Sequence, residues 1–118
     1  MRVGAVVIDC NDFETMSRFW QEALRYVPRE APEDGWVVLC DPTGGNVNVS
    51  LNRVRAPRAA RGRLHLNLYT GDPDTEVERL LTLGATHHPR VTEADEDFIV
   101  LADPEGNLFC VVDKRPGP

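Results

Sequence analysis

The chain has 118 residues, 42% of them hydrophobic and 27% charged, with a formal charge of −6. That length suits one domain with a modest core. The acidic balance argues against nucleic acid and for neutral or cationic ligands, and no apolar run approaches the roughly 20 residues of a membrane span.

The opening stretch "MRVGAVVIDCND" meets an acidic residue too early for a secretory signal and is expected to form the first strand. Cys10, Cys40 and Cys110 are an odd set without CxxC spacing, which predicts thiols in a reducing cytoplasm. A helix should start at Asn11 or Asp12. Asn11 and Glu14 have the spacing of a capping box. Phe13, Met16, Phe19, Trp20, Ala23 and Leu24 then recur at helical intervals and predict a core-facing stripe.

Next comes "VLCDPTGGNVNVSL" (38–51), two strands joined by a turn rich in Asp, Pro and Gly. In "NVNVSLN" (46–52) the alternation sends Val47, Val49 and Leu51 to one face and Asn46, Asn48, Ser50 and Asn52 to the other. Residues 53–63 hold five arginines with Pro57 and Gly62, an expected solvated connection; an anion-gathering flap is the alternative. "RLHLNLY" (63–69) alternates again: Leu64, Leu66 and Leu68 against Arg63, His65, Asn67 and Tyr69.

A second helix should start at Asp72, with Pro73 at its first position, Val77, Leu80 and Leu81 as its stripe and Gly84 as its stop. His87 and His88 are expected in a solvated loop, "TEADED" (92–97) in an acidic one, and "KRPGP" in a disordered tail. Before that tail, "VLADPEGNLFC" (100–110) repeats the strand, DP turn and strand of residues 38–51.

The order strand, helix, strands, hairpin therefore occurs twice. Asp12 and Asp72 lie 60 residues apart, and the two DP turns 62. A duplicated βαβββ module follows, with module 1 over about 3–52, an Arg-rich linker over 53–62 and module 2 over about 63–113. The predicted fold class is α+β. The faces opposite the leucines and valines carry Asn, Ser, His and Tyr, short hydrogen-bonding groups suited to a concave ligand site; a sheet face open to water is the plainer alternative.

Two such modules, "FW" in the first helix, "RLHLNLY", "LGA" after the second helix and "DPEGNLFCVV" resemble the vicinal oxygen chelate superfamily, in particular its glyoxalase-like and bleomycin-resistance-like proteins. The resemblance covers residues 3–113 and implies mixed sheets curved around a cleft. Metal-using members place ligands in the first and last strand of each module. Carried onto this chain those points are Ala5, Asn48, His65 and Cys110. Ala5 has no donor, and a neutral Asn amide is a weak ligand for a first-row metal. No catalytic metal is therefore expected, with a divalent ion on His65 and Cys110 as the alternative. Asp9 shares the parity of Ala5 but lies further along the strand.

The resulting expectation is a small organic molecule bound by Asn48, Ser50, Asn67, Tyr69 and Cys110, with Trp36 and Phe98 stacking on it or filling the core. His65 is the candidate catalytic group, as hydrogen-bond donor or general base; a His satisfied by a neighbour such as Asn48 is the other reading. Cys110 as a nucleophile stands against Cys110 as a small filler. The competing functions are a metal-dependent lyase, isomerase or dioxygenase, and a non-catalytic accessory or dimerisation domain. A homodimer is expected.

Overall fold

A computed structural model describes residues 3–55, 66–88 and 97–114. The chain divides into two compact units, Met1–Gly62 and Arg63–Pro118. The first comprises β1 (Ala5–Cys10), α1 (Phe13–Leu24), β2 (Val27–Pro28), β3 (Trp36–Cys40) and β4 (Asn48–Arg53). The second comprises β5 (Leu66–Thr70), α2 (Pro73–Leu83), β6 (Thr86–His87), β7 (Phe98–Ala102) and β8 (Leu108–Asp113). Each unit is the expected βαβββ module with its own four-stranded mixed sheet. The strand orders are β1-β4-β3-β2 and β5-β8-β7-β6. In each, the module's first strand runs parallel to its last and the remaining pairings are antiparallel.

Helix α1 starts because Asp12 closes its first turn: the Asp12 carboxylate accepts from Thr15 N at 3.2 Å and from the Thr15 hydroxyl at 2.8 Å. Asp12 is thus the cap, and the capping box expected of Asn11 does not form. Asn11 instead donates to Val54 O at 2.9 Å, tying the helix entry to the end of β4. Helix α2 starts the same way, with Asp72 accepting from Thr75 N and Pro73 at the first position. It ends at Gly84 in a left-handed conformation, φ 119°, as the sequence predicts. Helix α1 ends at Arg25, which takes the left-handed conformation without being glycine.

Packing follows the stripes. Helix α1 lies against β3 and β4, and α2 against β8. Met16, Phe19 and Trp20 are buried, as are Val37, Leu39, Val49 and Leu51 on the sheet face towards α1. Phe19 and Trp20 meet edge to face at 5.2 Å and 88°. In module 2 the buried set is Val77, Leu80, Leu101, Phe109 and Val111. Each such side chain contributes about 1.5–3 kcal/mol on burial.

Both DP turns are organised by their aspartate. Asp41 accepts from Thr43 N, the Thr43 hydroxyl and Asn46 Nδ2, all within 2.8 Å. Asp103 accepts from Glu105 N, Asn107 N and Asn107 Nδ2, each at 2.9 Å. The module 1 connection, residues 41–47, is two residues longer than its counterpart, 103–107.

That difference corrects the strand expected over 46–52. It begins only at Asn48, and Val47, assigned to the helix side, lies in the loop and is 44% exposed. At its other end the strand runs on to Arg53, which pairs with Asp34 at 2.8 Å. His87 is not in a loop: it sits in β6, opposite Leu101. His88 follows, its N–H bonding Val100 O at 3.1 Å. Residues 56–62 of the linker, Arg63 to His65, the acidic stretch up to Ala94, Asp95 and Glu96, and the tail after Lys114 lie outside the described residues.

Candidate functional site

The pleat sorts each sheet into a helix side and a helix-free side. In module 1 the register couples Val7 with Ser50 and Ser50 with Val38, then Asp9 with Asn52 and Asn52 with Trp36. These side chains, with Ala5 and Asn48, occupy the face away from α1. In module 2 Asn67 pairs with Cys110 and Cys110 with Val100; Tyr69 pairs with Val112 and Val112 with Phe98. Asn48 and Ser50 thus share one face, and Asn67, Tyr69 and Cys110 share another, as the period-2 alternation predicts. Leu66 and Leu68 take the helix side with Phe109 and Val111. His65 and Leu64 fall outside the described residues.

The registers correct one equivalence. Val6 opposes Val49, and Leu66 opposes Phe109. Ser50, not Asn48, is therefore the counterpart of Cys110. Asn48 follows Asp41 by seven residues, as Cys110 follows Asp103, but the module 1 connection is two residues longer, which moves the equivalent position to Ser50. The four points drawn from the resemblance become Ala5, Ser50, His65 and Cys110.

Exposure differs sharply along these faces. Tyr69 is 61% exposed, and Lys114 Nζ stands over its ring at 4.9 Å, a cation–π contact. Trp36 is 37% exposed on the helix-free face, so it does not fill the core; Phe98 and Cys110 are half-buried. Ser50 is 1% exposed, and its Oγ has no hydrogen-bond partner among the described residues. Cys10 is buried, with Sγ 3.7 Å from Asn52 O, and none of Cys10, Cys40 and Cys110 forms a disulfide.

A depression of about 120 Å³ lies beside this face, bounded by Arg29, Glu30, Glu33, Trp36 and Val38. Residues 29–33 carry no periodic signal, so nothing in the sequence points to them. Asp9 and Asn52 belong with Ser50 by parity, a signal present in "VVIDC" and "NVSLN".

The described points, Ala5, Ser50 and Cys110, are poor donors for a hard divalent metal. Ala5 offers no atom, Ser50 a neutral hydroxyl and Cys110 a thiol. Among the described residues no three His, Cys, Asp or Glu side chains gather to hold an ion. What these faces offer is hydrogen bonding from amide, hydroxyl and carboxylate groups, and stacking on Trp36, Phe98 and Tyr69.

Fold and helix-free faces together define a protein of two fused βαβββ modules, and comparison with known proteins agrees. The family model described as a glyoxalase-like domain matches residues 5–112, and the chain belongs to that family, within the vicinal oxygen chelate superfamily. It is similar to a glyoxalase/bleomycin resistance protein/dioxygenase family enzyme from Burkholderia phytofirmans PsJN, with 21% identity, TM-score 0.73, and 94% of this chain and 97% of that one covered. It is also similar to a mutant of the fosfomycin resistance protein FosX from Listeria monocytogenes, complexed with Mn(II) and a dihydroxypropylphosphonic acid. There the identity is 15% and the TM-score 0.75, over 97% of this chain and 90% of that one. The protein ATC0852 from Agrobacterium tumefaciens shares 11% identity at a TM-score of 0.77, covering 98% and 99%. No curated protein matches the sequence. At these identities the structural likenesses establish the fold.

Proposed function

We propose that this glyoxalase-like protein binds small organic molecules at a helix-free sheet face, without a catalytic metal. The observation that carries the reading is the composition of the helix-free faces. They present Asn48, Ser50, Asn67 and Tyr69 for hydrogen bonding and the partly open rings of Trp36 and Phe98 for stacking, while Ala5 stands where a metal ligand is required. A solvated face gains nothing from a buried, unbonded Ser50 hydroxyl, whereas a binding face does.

Ligand capture of this kind suits sequestration of a drug or metabolite. The net charge of −6 disfavours nucleic acid as a partner. Three cysteines without a disulfide suit the cytoplasm, and the proposed assembly is a homodimer, to be checked by sedimentation at micromolar concentration.

Metal analysis and ligand screening test the reading together. Purified protein should carry no stoichiometric Zn, Ni, Fe or Mn. Added metal should barely raise the thermal midpoint, since stabilisation grows only as RT ln(1 + [L]/Kd). Chemical-shift perturbation by a metabolite library should fall on Asn48, Asn67, Tyr69 and Trp36. One tightly held equivalent of metal, lost in His65→Ala, would overturn the metal-free reading in favour of a lyase, isomerase or dioxygenase.

A further inference from the structure

Three adjacent strands bring Asp9, Asn52 and Trp36 into one register row on the helix-free face of module 1. Neighbouring strands lie about 4.8 Å apart, so the backbone positions of Asp9 and Trp36 lie roughly 10 Å apart along the row. Asn52 Nδ2 donates to Asp9 Oδ1 at 3.4 Å. That leaves Asp9 Oδ2 and Asn52 Oδ1 as acceptors with no donor among the described residues, and no Lys or Arg there pairs with Asp9. Ser50, two residues before Asn52 on the same face, adds a buried hydroxyl without a partner. Hydrogen-bonding capacity in this patch is thus unbalanced towards acceptors.

The aromatic end has its own character. Trp36 is 37% exposed and borders the depression of about 120 Å³. Glu30 and Glu33 line that depression, with Arg29 the one cation among its described lining residues. Asp34, next in the chain, is already paired with Arg53. Unspent acceptors, a carboxylate without a cation and an open indole face call for an occupant that donates, carries positive charge and is flat.

We propose that the row Asp9–Asn52–Trp36, with the buried Ser50 hydroxyl beside it, is a subsite for planar organic cations bearing amino groups. This rests on the reading of the helix-free faces as binding surfaces, and it adds the chemical class of ligand. The ring stacks on Trp36, where a cation over an indole face gains further attraction. An amino group at the far end of the ring system, directed along the row, meets the Asp9 carboxylate in a charge-assisted hydrogen bond.

Calorimetry with three aromatic probes tests it: proflavine, a flat cation with two amino groups; acridine, its flat neutral parent; and anthracene-2-sulfonate, a flat anion. Proflavine should bind at least about tenfold more tightly than acridine, and the sulfonate least, a tenfold step corresponding to about 1.4 kcal/mol. Asp9→Asn, nearly isosteric, should remove that preference while leaving acridine affinity unchanged. Trp36→Leu should weaken proflavine and acridine alike. Ser50→Ala should hold or raise the thermal midpoint, because it deletes an unbonded buried hydroxyl, and yet weaken proflavine.

Equal binding of the three probes, or a preference unmoved in Asp9→Asn, would overturn the subsite. The broader reading would survive that result if library shifts still mapped to Asn48, Asn67 and Tyr69. Absence of any binding by the three probes would also overturn the subsite. Folding of the variants is checked by their thermal midpoints, and Asn52→Asp supplies an independent arm: a second carboxylate in the row should strengthen proflavine binding.

Discussion

At the residue scale, the two turn aspartates have the same job under different burial. Asp103 is 2% exposed and satisfies three donors. Asp103→Ala would leave these part-buried donors without their acceptor, so a stability loss of about 1–3 kcal/mol is expected in urea unfolding. Asp41 holds its donors in solvent, where water replaces a lost carboxylate, and Asp41→Ala should cost clearly less. Ionisation follows the same bonds. The Thr15 hydroxyl and N–H hold the Asp12 carboxyl below the usual carboxylate range, and the Thr43 hydroxyl and Asn46 amide do so for Asp41. A carboxyl held lower in the folded state stabilises it above the unfolded pKa, and that contribution fades as pH falls through the folded value. Tyr26 runs the other way. Burial, then the charges of Asp41 and Cys40, push its phenol above the usual tyrosine range, so its contribution is present below the unfolded pKa and lost as pH rises through the folded one. Thermal midpoints across pH should therefore fall at both extremes, and replacing Thr43 by Val should move the Asp41 carboxyl upward in an NMR titration.

At the element scale, Gly84 closes α2 at a φ of 119°, and a Cβ there would stand 3.5 Å from Pro104 Cγ. Space is adequate; the backbone is the obstacle. Gly84→Ala should lose about 1–3 kcal/mol in denaturant unfolding, from strain alone. Elements of this kind were legible in the sequence because their signals are local: Asp72-Pro73 and Gly84 bracket α2, and strict alternation sorts 48–52 and 66–69. Legibility failed where a long-range partner decides. Asn11 lost the capping role because Val54 O, 43 residues away, takes its amide. His87 became a strand because Leu101 offers an edge. The alignment of Ser50 with Cys110 depended on the length of a turn, and a turn's length is fixed by the ladder on either side of it. For the candidate site, parity was readable but the row was not: no local pattern tells that Asp9, Asn52 and Trp36 fall side by side.

At the scale of the whole molecule, each sheet joins its earliest strand to its latest. Ala5 finds Asn48, and Leu66 finds Phe109, 43 residues on in both modules. The parallel crossover through a helix makes this unavoidable, since the entire module lies between the two strands. The consequence is an order in time. Helices α1 and α2 and the hairpins β3–β4 and β7–β8 close short loops and can form early, whereas β1 and β5 have nowhere to dock until their module's last strand exists. In pulsed hydrogen exchange during refolding, the amides of 37–39 and 99–101 should gain protection before those of 6–9 and 67–69. All of the first sheet's pairings lie within residues 5–53, so on the ribosome that sheet can close while the second module is still being made.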